Sequence, residues 1–511
     1  MSDVARIIHV ISDLHLGGIY PESSGTTDRG FRICTNVDVL AGFVDALAAK
    51  PAASPRIELV INGDMVDFLA ERHATHPHWR PFVADQATAV EKLSAILERD
   101  RAFFDALGRF LDRGHRLVIL LGNHDLELCL PLVRRRLERA LGVKGSHDFQ
   151  FIYDGEAYVV GDVLIEHGNR YDKFNVVDYD ALRRVRSLLS RKQMVPDKYR
   201  FEPPAGSHMV AEVINPIKEQ YKFVDLLKPE TEAVIPLLLA LEPGYRKLIA
   251  PAVKNAMLAS RHGLETPVLP QFGGDIHAEP SSVGNDFGGD ISSFDSAPTR
   301  SRGDAADTAL RDCLDEVLGG GSAEFLRDIE AGSSAHAEFT SAGIGDDIST
   351  AETISRTLGI AKLLFSRSDG NVERRLPSLL KAMRCLQTGN SFATDVEHLT
   401  EYRQAAEGLV GDEVRYVVFG HTHYPRDVKL TGGGRYFNSG TWADVFRFPK
   451  EVVSGTEAEA LARLREFVGL MEKGDFTSWA LFRPTFVRLE LDQSDRVIES
   501  ELCAYTGPQG V

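Results

Sequence analysis

The amino-acid sequence predicts an α/β fold: a largely parallel sheet covered by helices, with a long helical stretch interrupting the sheet-forming text. Three observations carry that expectation. Short runs rich in β-branched residues alternate with segments of helical period over 6–121, nearly every periodic segment over 176–410 is helical, and from Val414 the β pattern returns. Strands buried on both faces read as continuous apolar runs, as 57–61 and 117–121 do, which favours parallel strands lying between helices.

Taken in order, a strand is expected in RIIHVIS from Arg6, a helix over 37–49 and a strand in RIELVIN from Arg56. A long helical segment over 85–111 and a strand in HRLVILL from His115 complete a βαβαβ pattern. Residues 149–166 add strands broken by a turn at Asp154 and Gly155. Helical spacing then runs through 177–194, 209–227, 231–241, 305–318, 351–365 and 392–409, with Ser349 and Glu352 placed as a capping box. Residues 271–302, rich in Gly, Ser, Asp and Pro, read as a flexible loop or linker. The last strands are expected in YVVFG, RYFNSGTW, SWALFRPTFVRLELD and DRVIESE. This text fits either one α/β domain interrupted by a cap or three units in series.

Composition sets outer bounds. At roughly 150 residues per domain, 511 residues suggest about two to four domains. A chain that is 43% hydrophobic and 26% charged is neither collagen-like, wholly disordered nor a small disulfide scaffold. With 74 acidic against 58 basic residues the net charge is −16, so no specific nucleic-acid binding and no whole-molecule attraction to anionic membranes are expected; an anion must be bound locally. No apolar run reaches the length of a membrane span and the N-terminus lacks the features of a signal peptide, which makes the cytoplasm the expected compartment. Five scattered cysteines without a CxxC pair argue against a zinc-thiolate site.

Five polar motifs each follow an apolar run. HVISDLHLGG offers Asp13 and His15; LVINGDMVDF offers Asp64, with Asp67 behind it; ILLGNHDLE offers Asn123, His124 and Asp125; VLIEHGNRYD offers His167; VVFGHTHYP offers His421 and His423. Carboxylate, imidazole and amide oxygen suit hard or borderline cations, and in open α/β sheets such groups gather beyond the carboxyl ends of the strands. Alternate residues of an extended segment share a face, so Asp13 and His15 can converge on one ion. Seven ligands exceed one tetrahedral zinc but suit two ions sharing a carboxylate, for which Asp64 is the natural bridge. Such ions acidify water and polarise a phosphoryl oxygen, so the expected reaction is in-line attack on phosphorus by a metal-bridging hydroxide. His124 is then free to assist the leaving oxygen, with Asp125 orienting its imidazole.

In this order D-x-H, GD-x-x-D, GNH-D, H-G and GH-x-H resemble the calcineurin-like metallophosphoesterase superfamily. The resemblance implies a four-layer αββα sandwich with a dinuclear centre. Carried over motif by motif, it implies Asp13, His15, Asp64 and His423 around the first ion, Asp64, Asn123, His167 and His421 around the second, and His124 as the histidine that assists catalysis. It also implies a discontinuous catalytic domain, residues 1–175 and 411–511, around a helical insertion or cap at 176–410. The motif-bearing text covers about 6–170 and 410–445. The interval between Asp64 and Asn123 exceeds a minimal βαβ step, so 67–85 is expected to form an extra surface loop beside the site.

The expected substrate is a phosphorylated small molecule or lipid, and the activity phosphodiesterase, phosphomonoesterase or pyrophosphatase, with manganese, iron or zinc as the metal. SDLHL and H-G are also similar to diphosphatases of lipid-linked nucleotide sugars, for which IPLLLALEPGYRKLIAPAVKNAML would line an acyl groove, though such stripes are usually plain core. Tyr171, Asp172, Lys173 and Asn175, next to a ligand, are plausible substrate contacts. Arg183, Arg184, Arg186, Arg191 and Lys192, and Arg134, Arg135 and Arg136, fit either an anionic substrate or a solvated helix face. In a different class, the alternative is a scaffold that keeps the fold without catalysis.

Overall fold

In the computed structural model, the N-terminal strand β1 (Arg6–Ile11) is flanked by strands from opposite ends of the chain. On one side it pairs in parallel with β2 (Arg56–Asn62), and on the other antiparallel with β12 (Thr485–Leu491), Arg6 opposite Leu491 and Val10 opposite Val487. The structure describes residues 4–18, 31–51, 55–72, 78–143, 148–172, 174–219, 224–228, 376–387, 391–472 and 477–508.

The six-stranded sheet continues through β3 (Arg116–Leu120) and β4 (Phe149–Ile152), parallel to β2, and ends on its other edge with β13 (Val497–Ala504), antiparallel to β12. A five-stranded sheet has the order β5 (Tyr158–Val160), β6 (Val163–Ile165), β7 (Tyr416–Phe419), β9 (Arg435–Asn438) and β8 (Arg426–Lys429). It too draws on both halves of the sequence, since β6 pairs in parallel with β7. A short antiparallel ribbon of β10 (Val445–Phe446) and β11 (Ala480–Leu481) stands apart from both sheets.

Strand alternation builds the layers. Ile8, Val10, Val60, Val118 and Leu120 of the first sheet pack against Val163, Ile165, Val418 and Phe437 of the second, and Val487 and Leu489 complete this inner core. The opposite face of the first sheet, through Ile11, Ile57, Leu59, Ile61, Leu117 and Ile119, packs on α1 (Val37–Ala48), α2 (Gln86–Arg99), α3 (Arg101–Asp112), α4 (Pro131–Ala140) and α5 (Tyr179–Ser190). On the far side, Tyr402, Ala405 and Ala406 of a helix at Thr400–Leu409 cover Val417, Phe419 and Tyr436. The result is the four-layer αββα sandwich.

The chain divides into two units, Met1–Leu237 with Leu380–Val511, and Leu238–Leu379. The first holds both sheets, so the strands of the two chain ends build one discontinuous unit rather than separate ones. Of the second, 376–379 are described, at the start of the helix Leu376–Leu386. Expected helices at 231–241, 305–318 and 351–365, the capping box at Ser349, the linker at 271–302 and the acyl-groove text all lie outside the described residues.

Three expectations are corrected. The helical segment at 85–111 is two helices divided at Asp100, the first capped by Asp85, whose carboxylate accepts from the Thr88 N–H at 2.9 Å. That tandem accounts for the long interval before Asn123. The second is corrected only in part: the interval opens on buried backbone, with Met65 to Leu69 shielded from solvent and Asp67 directed into the site, while 78–85 has neither helix nor strand and is mostly solvent-accessible, as a surface loop is. The third concerns the basic residues. Arg186 donates to the Tyr153 carbonyl at 2.9 Å, Arg134 stacks 4.0 Å from the Tyr153 ring, Arg135 bonds the Pro131 carbonyl and Arg136 bonds Ser94, whereas Arg183, Arg184, Arg191 and Lys192 are exposed, as the solvated-face reading has it.

Leu489 is fully buried between the sheets on the strand that joins the two ends of the chain. Leu489→Ala is expected to destabilise this unit by about 2–5 kcal/mol, as truncated core leucines do. Equilibrium denaturation against wild type checks this.

Candidate metal centre

All five motifs follow the carboxyl ends of parallel strands: Asp13 and His15 after β1, Asp64 after β2, Asn123 and His124 after β3, His167 after β6, and His421 and His423 after β7. The two sheets meet there, and the His421 N–H donates to Asp13 at 2.9 Å. Asp13, His15, Asp64, His421 and His423 all have left-handed backbone, with φ of 53°, 44°, 50°, 68° and 62°. Each costs a non-glycine residue on the order of 1 kcal/mol, and such strain collects where side chains must be aimed at a site. Two glycines are required by close approach: a Cβ on Gly63, itself at φ 80°, would collide with the His167 ring, and one on Gly122 would collide with the Asp64 carboxylate.

The side chains converge in three overlapping groups: Asp13, His15 and His423; His15, Asp64 and His124; and Asp64, His167 and His421. His15 Nε2 lies 3.1 Å from His423 Nε2 and 3.8 Å from Asp64 Oδ2, while His423 Nε2 lies 3.4 Å from Asp13 Oδ1. His167 Nε2 lies 3.2 Å from the same Asp64 Oδ2. Asp64 belongs to two of the three groups. Two donors on one ion, each 2.0–2.2 Å away, stand roughly 2.9–3.4 Å apart, and the shorter of these separations fall in that range.

Hydrogen bonding prepares the donors for a cation. His167 Nδ1 donates to the Asn62 carbonyl at 2.8 Å and His15 Nδ1 to Asp67 at 3.2 Å, which leaves a lone pair on each Nε2. His167 Nε2 and Asn123 Oδ1 are buried with no hydrogen-bond partner among the described residues. Orphaned acceptors in a pocket of carboxylates fit a bound cation; without one they are costly.

His124 is the most open of the site histidines, its side chain 14% exposed against 1% for His167 and 4% for His423. Its Nδ1 lies 3.3 Å from Asp67 Oδ2, so the residue that orients this imidazole is Asp67, not Asp125. Asp125 instead accepts from the backbone N–H groups of Met65 at 2.9 Å and Gly122 at 2.8 Å, tying the second motif to the third. Burial works against a charge on Asp67, yet the imidazoles of His124 and His15 outweigh it and hold this carboxyl well below its usual range.

The residues beside His167 separate in role. The Tyr171 hydroxyl donates to Glu166 at 2.6 Å and its ring packs on Phe419, so it is a wall of the fold rather than a free substrate contact. Lys173 lies outside the described residues. Asn175 is at the site, bonded to Asn123 and Asp172, and Asp172 reaches His421 at 3.1 Å. One contributor went unread in the sequence: after β9, Ser439 bonds Ser12, Thr441 donates to the Asp13 carbonyl at 2.6 Å, and Asn438 donates to the Gly420 carbonyl at 2.6 Å. Its signal was a sixth polar turn at a strand end, NSGT, with no carboxylate or imidazole to mark it.

Residues 7–226 match the family model for calcineurin-like phosphoesterases. Those residues form a calcineurin-like phosphoesterase region. The match takes in the motifs from Asp13 to His167 and stops before His421 and His423, which the fold of this metallophosphoesterase brings back to the same strand ends. No curated relative matches the chain. No helix among the described residues is long and apolar enough to cross a membrane.

In the metal-free metallophosphoesterase, burial lowers the pKa of His167 but the Asp64 carboxylate outweighs it and holds it at about 9. A divalent ion must displace that proton. Ion binding is therefore expected to release a proton and to tighten as pH rises towards about 9. Calorimetric titration in buffers of different ionisation enthalpy measures that release.

Proposed function

We propose that this metallophosphoesterase hydrolyses phosphoester bonds with two divalent cations held where its sheets meet. The observation that carries the reading is the Asp64 carboxylate, 3.2 Å from His167 and 3.8 Å from His15, with the buried Asn123 oxygen left unpartnered among the described residues. Asp13, His15, Asp64 and His423 would hold one cation, and Asp64, Asn123, His167 and His421 the other. Mixed oxygen and imidazole ligation suits manganese, iron or zinc. Bound there, two cations acidify water and neutralise the charge of a phosphoryl group, which also gives an acidic protein of net charge −16 a local means of attracting an anion.

The protein's own groups supply the rest. His124, the exposed imidazole, stands where it can donate a proton from Nε2 to a departing alkoxide, because Asp67 holds Nδ1. Asp67 also stabilises the imidazolium form by its charge. The backbone N–H of His124 donates to Asp64 Oδ1 at 2.8 Å, so the proton donor and the shared ligand are fixed in one hydrogen-bonded unit. A scaffold without catalysis would gain nothing from strained backbone at five donor positions or from buried acceptors left unpaired.

His124→Ala is expected to keep wild-type metal content and lose roughly 10²-fold or more in turnover; unchanged turnover removes this role. Asp67→Asn should lower turnover in the same direction without loss of fold. Asp64→Asn should reduce occupancy of both ions, and retention of two tightly bound metals would refute a shared ligand. Metal analysis joined to a panel of a phosphomonoester, a phosphodiester and a lipid-linked pyrophosphate tests the reading: metals with hydrolysis support it, and neither supports the scaffold.

A further inference from the structure

Asp172, Asn175 and Asn123 form a chain of side-chain hydrogen bonds that ends on His421. Asp172 Oδ2 accepts from Asn175 Nδ2 at 2.7 Å and stands 3.1 Å from His421 Nε2, while Asp172 Oδ1 accepts from the Phe174 N–H at 2.9 Å. Asn175 Oδ1 in turn accepts from Asn123 Nδ2 at 3.2 Å.

The polarity of this chain is dictated by one fact: an ionised carboxylate only accepts hydrogen bonds. Asn175 must therefore turn its NH2 to Asp172, so its oxygen faces Asn123. Asn123 must then present its own NH2 to Asn175, and its oxygen is left over. That oxygen is the buried acceptor without a partner among the described residues. By the same argument His421 must carry its proton on Nε2, facing Asp172, which leaves the lone pair on Nδ1. Asp172 sits as an acceptor, with N–H donors from Phe174 on Oδ1 and Asn175 on Oδ2.

We infer that the Asp172–Asn175 loop is the element that selects the second cation's ligand state, fixing at once the amide orientation of Asn123 and the tautomer of His421 through hydrogen bonds from a single carboxylate. The inference rests on the two-cation reading above and names residues beyond the seven donors that make the second position competent. Neither residue touches the first group, where His15 is oriented by Asp67 and Asp13 is held by the His421 N–H and Thr441. The two positions are thus set by separate carboxylates, and a change at Asp172 should be felt at one only.

The test is a titration of Co2+ into the metal-free, full-length protein, followed by its visible absorption and by competition with a chelator, for wild type, Asp172→Asn and Asn175→Leu. The amide introduced by Asp172→Asn cannot accept on both of its terminal atoms, and the aliphatic side chain introduced by Asn175→Leu removes the link to Asn123. Both variants are expected to bind the first Co2+ as wild type does and to weaken the second roughly 10- to 100-fold, the usual effect of removing a ligand's hydrogen-bond partner. Asn175→Asp keeps the acceptor facing Asn123 but loses the donor to Asp172, and should fall between. Wild type binding two ions, with both variants unchanged, overturns the inference and leaves the hydrolase standing. A loss confined to Asp172→Asn also overturns it, since Asp172 would then be a direct ligand. Equal weakening of both ions overturns selectivity, and no ions in wild type overturns the function itself. Thermal unfolding of the metal-free variants confirms that each is folded before its titration is read.

Discussion

Two imidazole nitrogens, His15 Nε2 from one end of the chain and His423 Nε2 from the other, stand 3.1 Å apart, buried and next to two carboxylates. At that distance one ring can donate to the other, or a cation can lie between them. Facing acceptors repel unless a proton or a cation lies between them, and the rest of the structure follows from holding these groups where the repulsion must be answered. The left-handed backbone at five donor positions, the glycines beneath Asp64 and His167, and the burial of Asp64 all oppose folding taken singly. A divalent cation reverses the balance because the same geometry becomes a preformed ligand set, and binding free energy then adds to folding free energy.

The fold provides that geometry through strand pairing rather than loop design. Because β12 and β1 are hydrogen-bonded neighbours and β6 and β7 are another such pair, neither sheet is complete until the distant parts of the sequence have met. The inner core of Ile8, Val10, Val60, Val418 and Phe437 sets the separation of the sheets, and with it the distance between Asp13 and His421. An intervening stretch of any length is tolerated as long as both ends of that core are supplied.

Around the donors, carboxylates and carbonyls decide which nitrogen carries each proton. Asn62 does this for His167, Asp67 for His15 and His124 together, and Asp172 for His421. Sharing Asp67 between a ligand-type histidine and the exposed His124 links the two chemically, since its charge serves both.

Much was legible before the fold was seen. The five motifs, the strands that precede them and the helical period between them are local patterns, and local patterns fix residue type, backbone conformation and which side of a strand each group faces. Neighbours could not be read that way. Asp125 follows His124 directly, so adjacency suggested that it orients the imidazole; in space its carboxylate is turned towards Met65 and Gly122, and Asp67 fills that role from another strand end. Likewise Tyr171 looked free and is bound to Glu166, while of the basic helix residues, read as an anion site or a solvated face, Arg134 and Arg186 pack on Tyr153 and Arg183, Arg184 and Arg191 face solvent. The NSGT turn gave only the faint sign of a polar turn at a strand end, because its work is done by hydrogen bonds to the backbone of other segments. The sequence by itself determined the chemical identity of the donors and their delivery at strand ends, which are properties of short segments. Which carboxylate holds which imidazole was decided only by the tertiary structure, since hydrogen bonds depend on distance and angle between segments far apart in the chain.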